Sequence, residues 1–82
     1  MELVDEVFIV LTEAFPPPAK VELEDKGRII GAVVSSRFEG MESYDRMQIL
    51  WDVLGNKLSQ EQLRRVLMIV AATPDEELAY TV

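Results

Sequence analysis

Few side chains in this sequence can do chemistry, and their spacing restricts what that chemistry can be. Ser35 and Ser36 are adjacent hydroxyls at the end of an apolar run, but a serine nucleophile needs a base to activate it. The chain has no histidine and no cysteine, so the commonest general base, the usual transition-metal ligands and the thiolate nucleophile are all missing. Glu22 and Glu24 stand two residues apart, on one face of a strand, where their oxygens suit a hard cation. Two carboxylates alone make a poor coordination shell, and a solvated edge is the expectation. Met47 carries a soft thioether, yet a lone methionine inside an apolar helix normally packs. Arg64 and Arg65, with Lys57 and Arg46, form the one grouping able to meet a phosphate backbone. No catalytic residue, metal site or cofactor is expected, and the chain does not read as an enzyme.

The totals agree. Eighty-two residues make one domain spanning 1–82, small for a single core, and 49% hydrophobic residues supply the material for it. Fifteen acidic against eight basic residues leave a net charge of −7, which repels nucleic acid unless the cations cluster. No apolar run is long enough to span a membrane, and no leader precedes the domain. The absence of cysteine fits a cytoplasmic protein.

The elements that must position these side chains can be read from period and punctuation. Leu3, Val7, Val10, Leu11 and Ala14 recur at helical spacing, and Pro16-Pro17-Pro18 stops that helix. Val21 and Leu23 alternate with Glu22 and Glu24, Asp25-Lys26-Gly27 turns, and Ile29 to Ser35 returns as the second strand of a hairpin. Gly31 within it marks a bulge or a close neighbour. Ser43 reads as the cap of a helix over 44–54, with Gly55 and Asn56 at its left-handed end. Ser59-Gln60-Glu61-Gln62 has capping-box spacing and opens a second short helix. Residues 65–73, RVLMIVAAT, form the third strand, and Thr73-Pro74-Asp75-Glu76 starts a last helix that runs to about Tyr80. The order is α-β-β-α-α-β-α. Strands two and three are joined through helices, hence parallel, in an α+β domain with a three-stranded mixed sheet and helices mainly on one face.

The hairpin followed by VVSSRFEG, then Ser43, Arg46 and an apolar helix face ending at Leu54, then an apolar strand entering TPDE, resembles the BolA-like family. The likeness spans nearly the whole chain, and is most specific at Val33-Val34-Ser35 to Gly40 and at Thr73 to Glu76. It implies a class II KH-like fold and a non-enzymatic regulator, linked to iron–sulfur homeostasis and stress response. It also implies a protein partner, a monothiol glutaredoxin. Family members commonly carry a histidine where this chain has Met47, between Arg46 and Gln48, and another at the start of the last strand, where Arg65 stands. A guanidinium has no lone pair to give iron, so the resemblance implies that direct cluster ligation is lost here.

A binding surface is therefore the remaining candidate. Along the last strand Leu67, Ile69 and Ala71 point one way, and Val66, Met68, Val70 and Ala72 the other, so both faces are apolar. An open sheet face should be polar, which leaves a partner, a second copy of the chain, the N-terminal helix or the C-terminal segment to cover it. The partner-binding set is Arg65, Met68 and Val70, with Arg46 and Met47 nearby, and a homodimer is one form the contact takes. The alternative is a nucleic-acid-binding regulator using Gly55, Asn56, Lys57, Arg64 and Arg65. There the inter-helix segment lies where KH domains keep a Gly-x-x-Gly clamp, though its second glycine is missing. Trp51 shares the helix with Met47 and Leu54 and reads as packing.

Overall fold

A computed structural model describes the backbone of residues 1–81 and the side chains of residues 1–77. Helix α1 (Leu3–Ala14) leads through the prolines to strands β1 (Lys20–Asp25) and β2 (Ile29–Val34). A single 3-10 turn at Ser36–Phe38 precedes α2 (Ser43–Lys57), α3 (Gln60–Arg64), β3 (Val66–Ala72) and α4 (Pro74–Thr81). The sheet order is β1-β2-β3, with β1 antiparallel and β3 parallel to β2. The expected fold class and element order are those observed, apart from the 3-10 turn, which the sequence reading did not separate from its loop.

Local chemistry explains the element ends. Gly27 takes φ +86° at the hairpin turn, and its N–H donates to Asp25 Oδ1 at 3.1 Å, a turn closed by its own first residue. At Gly31 a Cβ would run into the Glu22 carbonyl and the Leu23 side chain, so the glycine is there because β1 passes too close for any side chain. The capping box before α3 is complete: Gln62 N–H donates to Ser59 Oγ at 3.1 Å, and Ser59 N–H to Gln62 Oε1 at 2.9 Å. Thr73 and Glu76 form the same reciprocal pair before α4, at 3.2 and 2.8 Å.

Two boundaries of α2 differ from expectation. Glu42 occupies the cap position and Ser43 is already helical, with no side-chain cap bond. At the other end the helix runs through Gly55, Asn56 and Lys57 to Leu58; Gly55 has no positive φ. Leu58 is buried in the core, and anchoring it there gains more than the cost of a mid-helix glycine, about 1 kcal/mol.

The core lies on one side of the sheet. Leu3, Val7 and Leu11 of α1, Leu50 and Leu54 of α2, and Ile29, Val33, Val66 and Ile69 of the sheet form one cluster, with Phe15 and Phe38 closing its end. Trp51 and Met47 pack against it, half-buried. Both long helices thus serve the same face.

Strict alternation fails at the start of β3. Ile29 pairs with Val66 but Ile30 with Met68, so the register shifts by one residue. Val66 is consequently buried with the core, while Leu67 is 55% exposed. The expected grouping of Val66 with Met68 and Val70 is corrected: the bulge turns Val66 inward and leaves Leu67 as the extra, outward residue.

Candidate functional site

On the side of the sheet away from α1 and α2, register sets Glu24 beside Ile30 and Met68, and Glu22 beside Ala32 and Val70. Met68 is 52% and Val70 45% exposed. The N-terminal helix does not cover this face, since its apolar stripe is spent on the opposite one. The C-terminal segment was the other internal cover; the side chains of 78–82 lie outside the described residues. The next row, Lys20, Val34 and Ala72, is closed: Val34 and Ala72 are buried, and Lys20 Nζ meets Glu77 of α4 at 3.0 Å. The exposed apolar surface is thus bounded at one end by α4 and at the other by the bulge.

Among the described residues β3 pairs with β2 alone, so its outer edge has no strand partner. Between that edge and α2 runs a depression of about 210 Å³ lined by Ser43, Arg46, Met47, Met68, Ile69, Val70 and Ala71. Four of the expected partner-binding residues, Arg46, Met47, Met68 and Val70, therefore come together. Arg65 does not join them: it sits at the far end of β3, where its guanidinium is 3.5 Å from Asp25 Oδ2, and its carbonyl accepts from Ile29 N–H at 2.7 Å.

Arg46 is placed differently from what a contact residue needs. Its side chain is only 13% exposed. Nη1 and Nη2 donate to the two Glu76 oxygens at 2.6 and 3.3 Å, Nε to the Met41 carbonyl at 3.0 Å, and Nη1 also to the Ala71 carbonyl at 3.3 Å. Ala72 turns its carbonyl inward to Ser35 N–H, so Ala71 faces its carbonyl outward along the edge, where Arg46 takes it. Glu76, already capping α4, is held below its ordinary 4.5 chiefly by the hydrogen bond from Arg46 and then by Thr73 N–H, while Arg46 is raised by the same bond. Arg46 is a strut joining α2, the β3 edge and α4. Sequence reasoning missed this link; the signal was a glutamate at the third helical position, which reads as a cap and gives no sign of a second, distant partner.

The other chemical candidates are also spent on structure. Ser35 is buried and its Oγ accepts from Arg37 N–H at 3.1 Å, capping the 3-10 turn. Arg37 lies over the Phe15 ring at 4.8 Å and donates to the Ala14 carbonyl at 2.8 Å. Among the described residues no three acidic side chains gather to hold a metal. An iron–sulfur cluster does not fit the positions where family members carry histidine, since Met47 offers a lone thioether, half-buried against the core, and the Arg65 guanidinium offers no lone pair.

For nucleic acid the geometry is adverse. Gly55, Asn56 and Lys57 are turns of α2, and Leu58 and Ser59 alone link it to α3. The expected backbone-clamping loop is therefore corrected to a helix, whose amides are already bonded. Arg64 and Lys57 have no ion-pair partner among the described residues, but Arg46 and Arg65 do. No described helix is long and apolar enough to cross a membrane.

No family model and no curated protein matches this chain. Solved structures do. The chain is similar to BolA1 from Arabidopsis thaliana, with TM-score 0.72 and 21% identity over 93% of this chain and 96% of that one. It is similar to the BolA domain of SufE1 from Arabidopsis thaliana, at 0.72 and 22% over the same shares of 93% and 96%. A third likeness is to the solution structure of BolA1 from Mus musculus, at 0.74 and 22% over 100% of this chain and 73% of that one. At such identities the likeness is one of architecture, and the chain has the BolA-like fold.

Proposed function

We propose that this domain is a BolA-like adaptor that acts by binding another protein and catalyses no reaction. Its partner is a monothiol glutaredoxin-type protein, and its setting is iron–sulfur and stress regulation in the cytoplasm. The observation that supports the reading is Met68. It stands half exposed on the open sheet face and also lines the groove beside α2, with Val70 next to it. A partner seated there removes from water the exposed parts of Leu67, Met68 and Val70, each a gain of about 1 kcal/mol when half of a side chain is buried. Apart from the Ala71 carbonyl, which Arg46 holds, the β3 edge has no strand partner among the described residues and offers main-chain groups to the same partner, the mode by which sheets take up an added strand.

Calorimetric titration with a monothiol glutaredoxin tests this. The wild-type chain is expected to form a complex that Met68→Lys weakens, with the far-ultraviolet spectrum unchanged because Met68 supports no core contact. Absence of a complex, or equal binding by Met68→Lys, overturns the glutaredoxin reading. Light scattering on the same samples reports whether a second copy occupies the face instead.

A further inference from the structure

Along β1 the open face is edged by carboxylates. Glu22 and Glu24 project from β1 on the same side as Ile30, Ala32, Met68 and Val70, and both glutamates are exposed. Around this border lies a shallow depression of about 360 Å³ with Met68 on its far wall. Glu22 has no ion-pair partner among the described residues, and Glu24 has only Lys26 Nζ at 3.9 Å, a distance at which exposed ions hold one another weakly. By contrast, Lys20 at the closed end is taken by Glu77, and Arg65 by Asp25. The face thus keeps both carboxylates available, with Lys20 and Arg65 occupied, while Arg28 at the hairpin end has no ion-pair partner among the described residues.

We infer that this face receives a basic amphipathic segment of the partner protein, its apolar side chains over Ile30, Met68 and Val70 and its lysines or arginines against Glu22 and Glu24. The inference rests on the reading that the domain works by binding protein, and adds the chemistry of what is bound. Charge complementarity decides the occupant. A second copy would bring another −7 and lay its own acidic row on an already acidic face, and like charges juxtaposed at an interface cost affinity. A segment alternating apolar and cationic residues matches the face in both rows, and its encounter is accelerated by the field of the whole domain.

The test uses two labelled synthetic peptides, one of alternating leucine and lysine, one of alternating leucine and glutamate, followed by fluorescence anisotropy on the full chain. The lysine peptide is expected to bind and the glutamate peptide not. Glu22→Lys with Glu24→Lys should weaken the lysine peptide about tenfold or more. Reversing the same number of charges at Asp45 and Asp52, exposed on α2, should weaken it far less, through the general field alone. Equal weakening by both double variants means a general attraction to an acidic protein, and overturns the inference. If both peptides bind alike and both are lost on Met68→Ser with Val70→Ser, the face binds protein without charge preference; the adaptor reading stands and this inference falls. If neither peptide binds and a doubled mass disappears with Met68→Lys, a second copy is the occupant, with the same consequence. If the serine variants alter neither peptide binding, mass nor glutaredoxin binding, the adaptor reading itself fails.

Discussion

Ala32 and Val33 are neighbours in β2, yet they belong to surfaces with different tasks. Val33, with Val21, Leu23 and Ile69, faces α1 and α2 and has no exposed area left. Ala32, with Glu22 and Val70, faces outward, where the described residues supply no cover. The strands are the same and so is the pleat; what differs is the company. On the covered face every large side chain is matched by another from a helix, so substitution there is read as stability. On the open face apolar side chains persist without that return, beside carboxylates, and substitution there should be read as binding.

The comparison breaks most visibly if the two faces respond alike to truncation. Leu54→Ala empties a fully enclosed site between α2 and the sheet and should cost about 2–5 kcal/mol in urea unfolding, enough to bring a domain this small near its unfolding threshold. Met68→Ala on the other face should cost under about 1 kcal/mol, because half of its surface already meets water. Equal losses would mean that something covers the open face in the free chain.

Gly31→Ala comes next and sharpens the contrast from within one strand. The added methyl points to the covered side, against the Glu22 carbonyl and Leu23. Relief requires β1 to shift, at a cost of about 1–3 kcal/mol. Ala32→Val, one residue on and pointing outward, should change stability by less than about 0.5 kcal/mol. Thermal unfolding of the two variants side by side gives the answer.

A smaller pair tests the bulge. Val66→Ala should destabilise by about 1 kcal/mol and Leu67→Ala by a few tenths, although alternation assigns them the reverse roles. The same pair shows why part of this molecule was legible in the sequence and part was not. Element order, the hairpin, both capping boxes and the helix-joined parallel strand follow from periods of 2 and 3.6 and from Ser59, Thr73 and the prolines, all local signals. The bulge leaves no such mark: RVLMIVAAT is apolar throughout, so a slip of one residue changes nothing in its pattern. Gly55 and Asn56 misled in the other direction, since their preference for a helix end yields to the burial of Leu58 three residues later. Of the candidate surface, Met68 and Val70 were legible because a two-sided apolar strand in a three-stranded sheet is anomalous by itself. Arg46 was visible as a cation, but its commitment to Glu76 depends on how α4 returns past α2, which no local pattern encodes.

That commitment gives the smallest and most selective effect. Glu76 is ionised more readily in the fold than in the unfolded chain, because Arg46 and the Thr73 amide both stabilise its carboxylate. Its contribution is accordingly complete above the ordinary value of 4.5 and fades as pH falls below it through the depressed folded value. Glu76→Gln keeps an oxygen to accept from Thr73 and removes the charge that Arg46 meets. The variant should melt below wild type at pH 7, with the gap narrowing under acid until the curves meet once the wild-type carboxyl is protonated. Since the strut sits at the end of the sheet where Lys20 and Val34 are already closed off, the variant should bind the lysine peptide as wild type does. Absence of a gap at every pH would show that Glu76 acts through its cap alone, which glutamine keeps. A loss of peptide binding would show that α4 and the open face form one unit, and the division between the two sides of the sheet would then have to include its end.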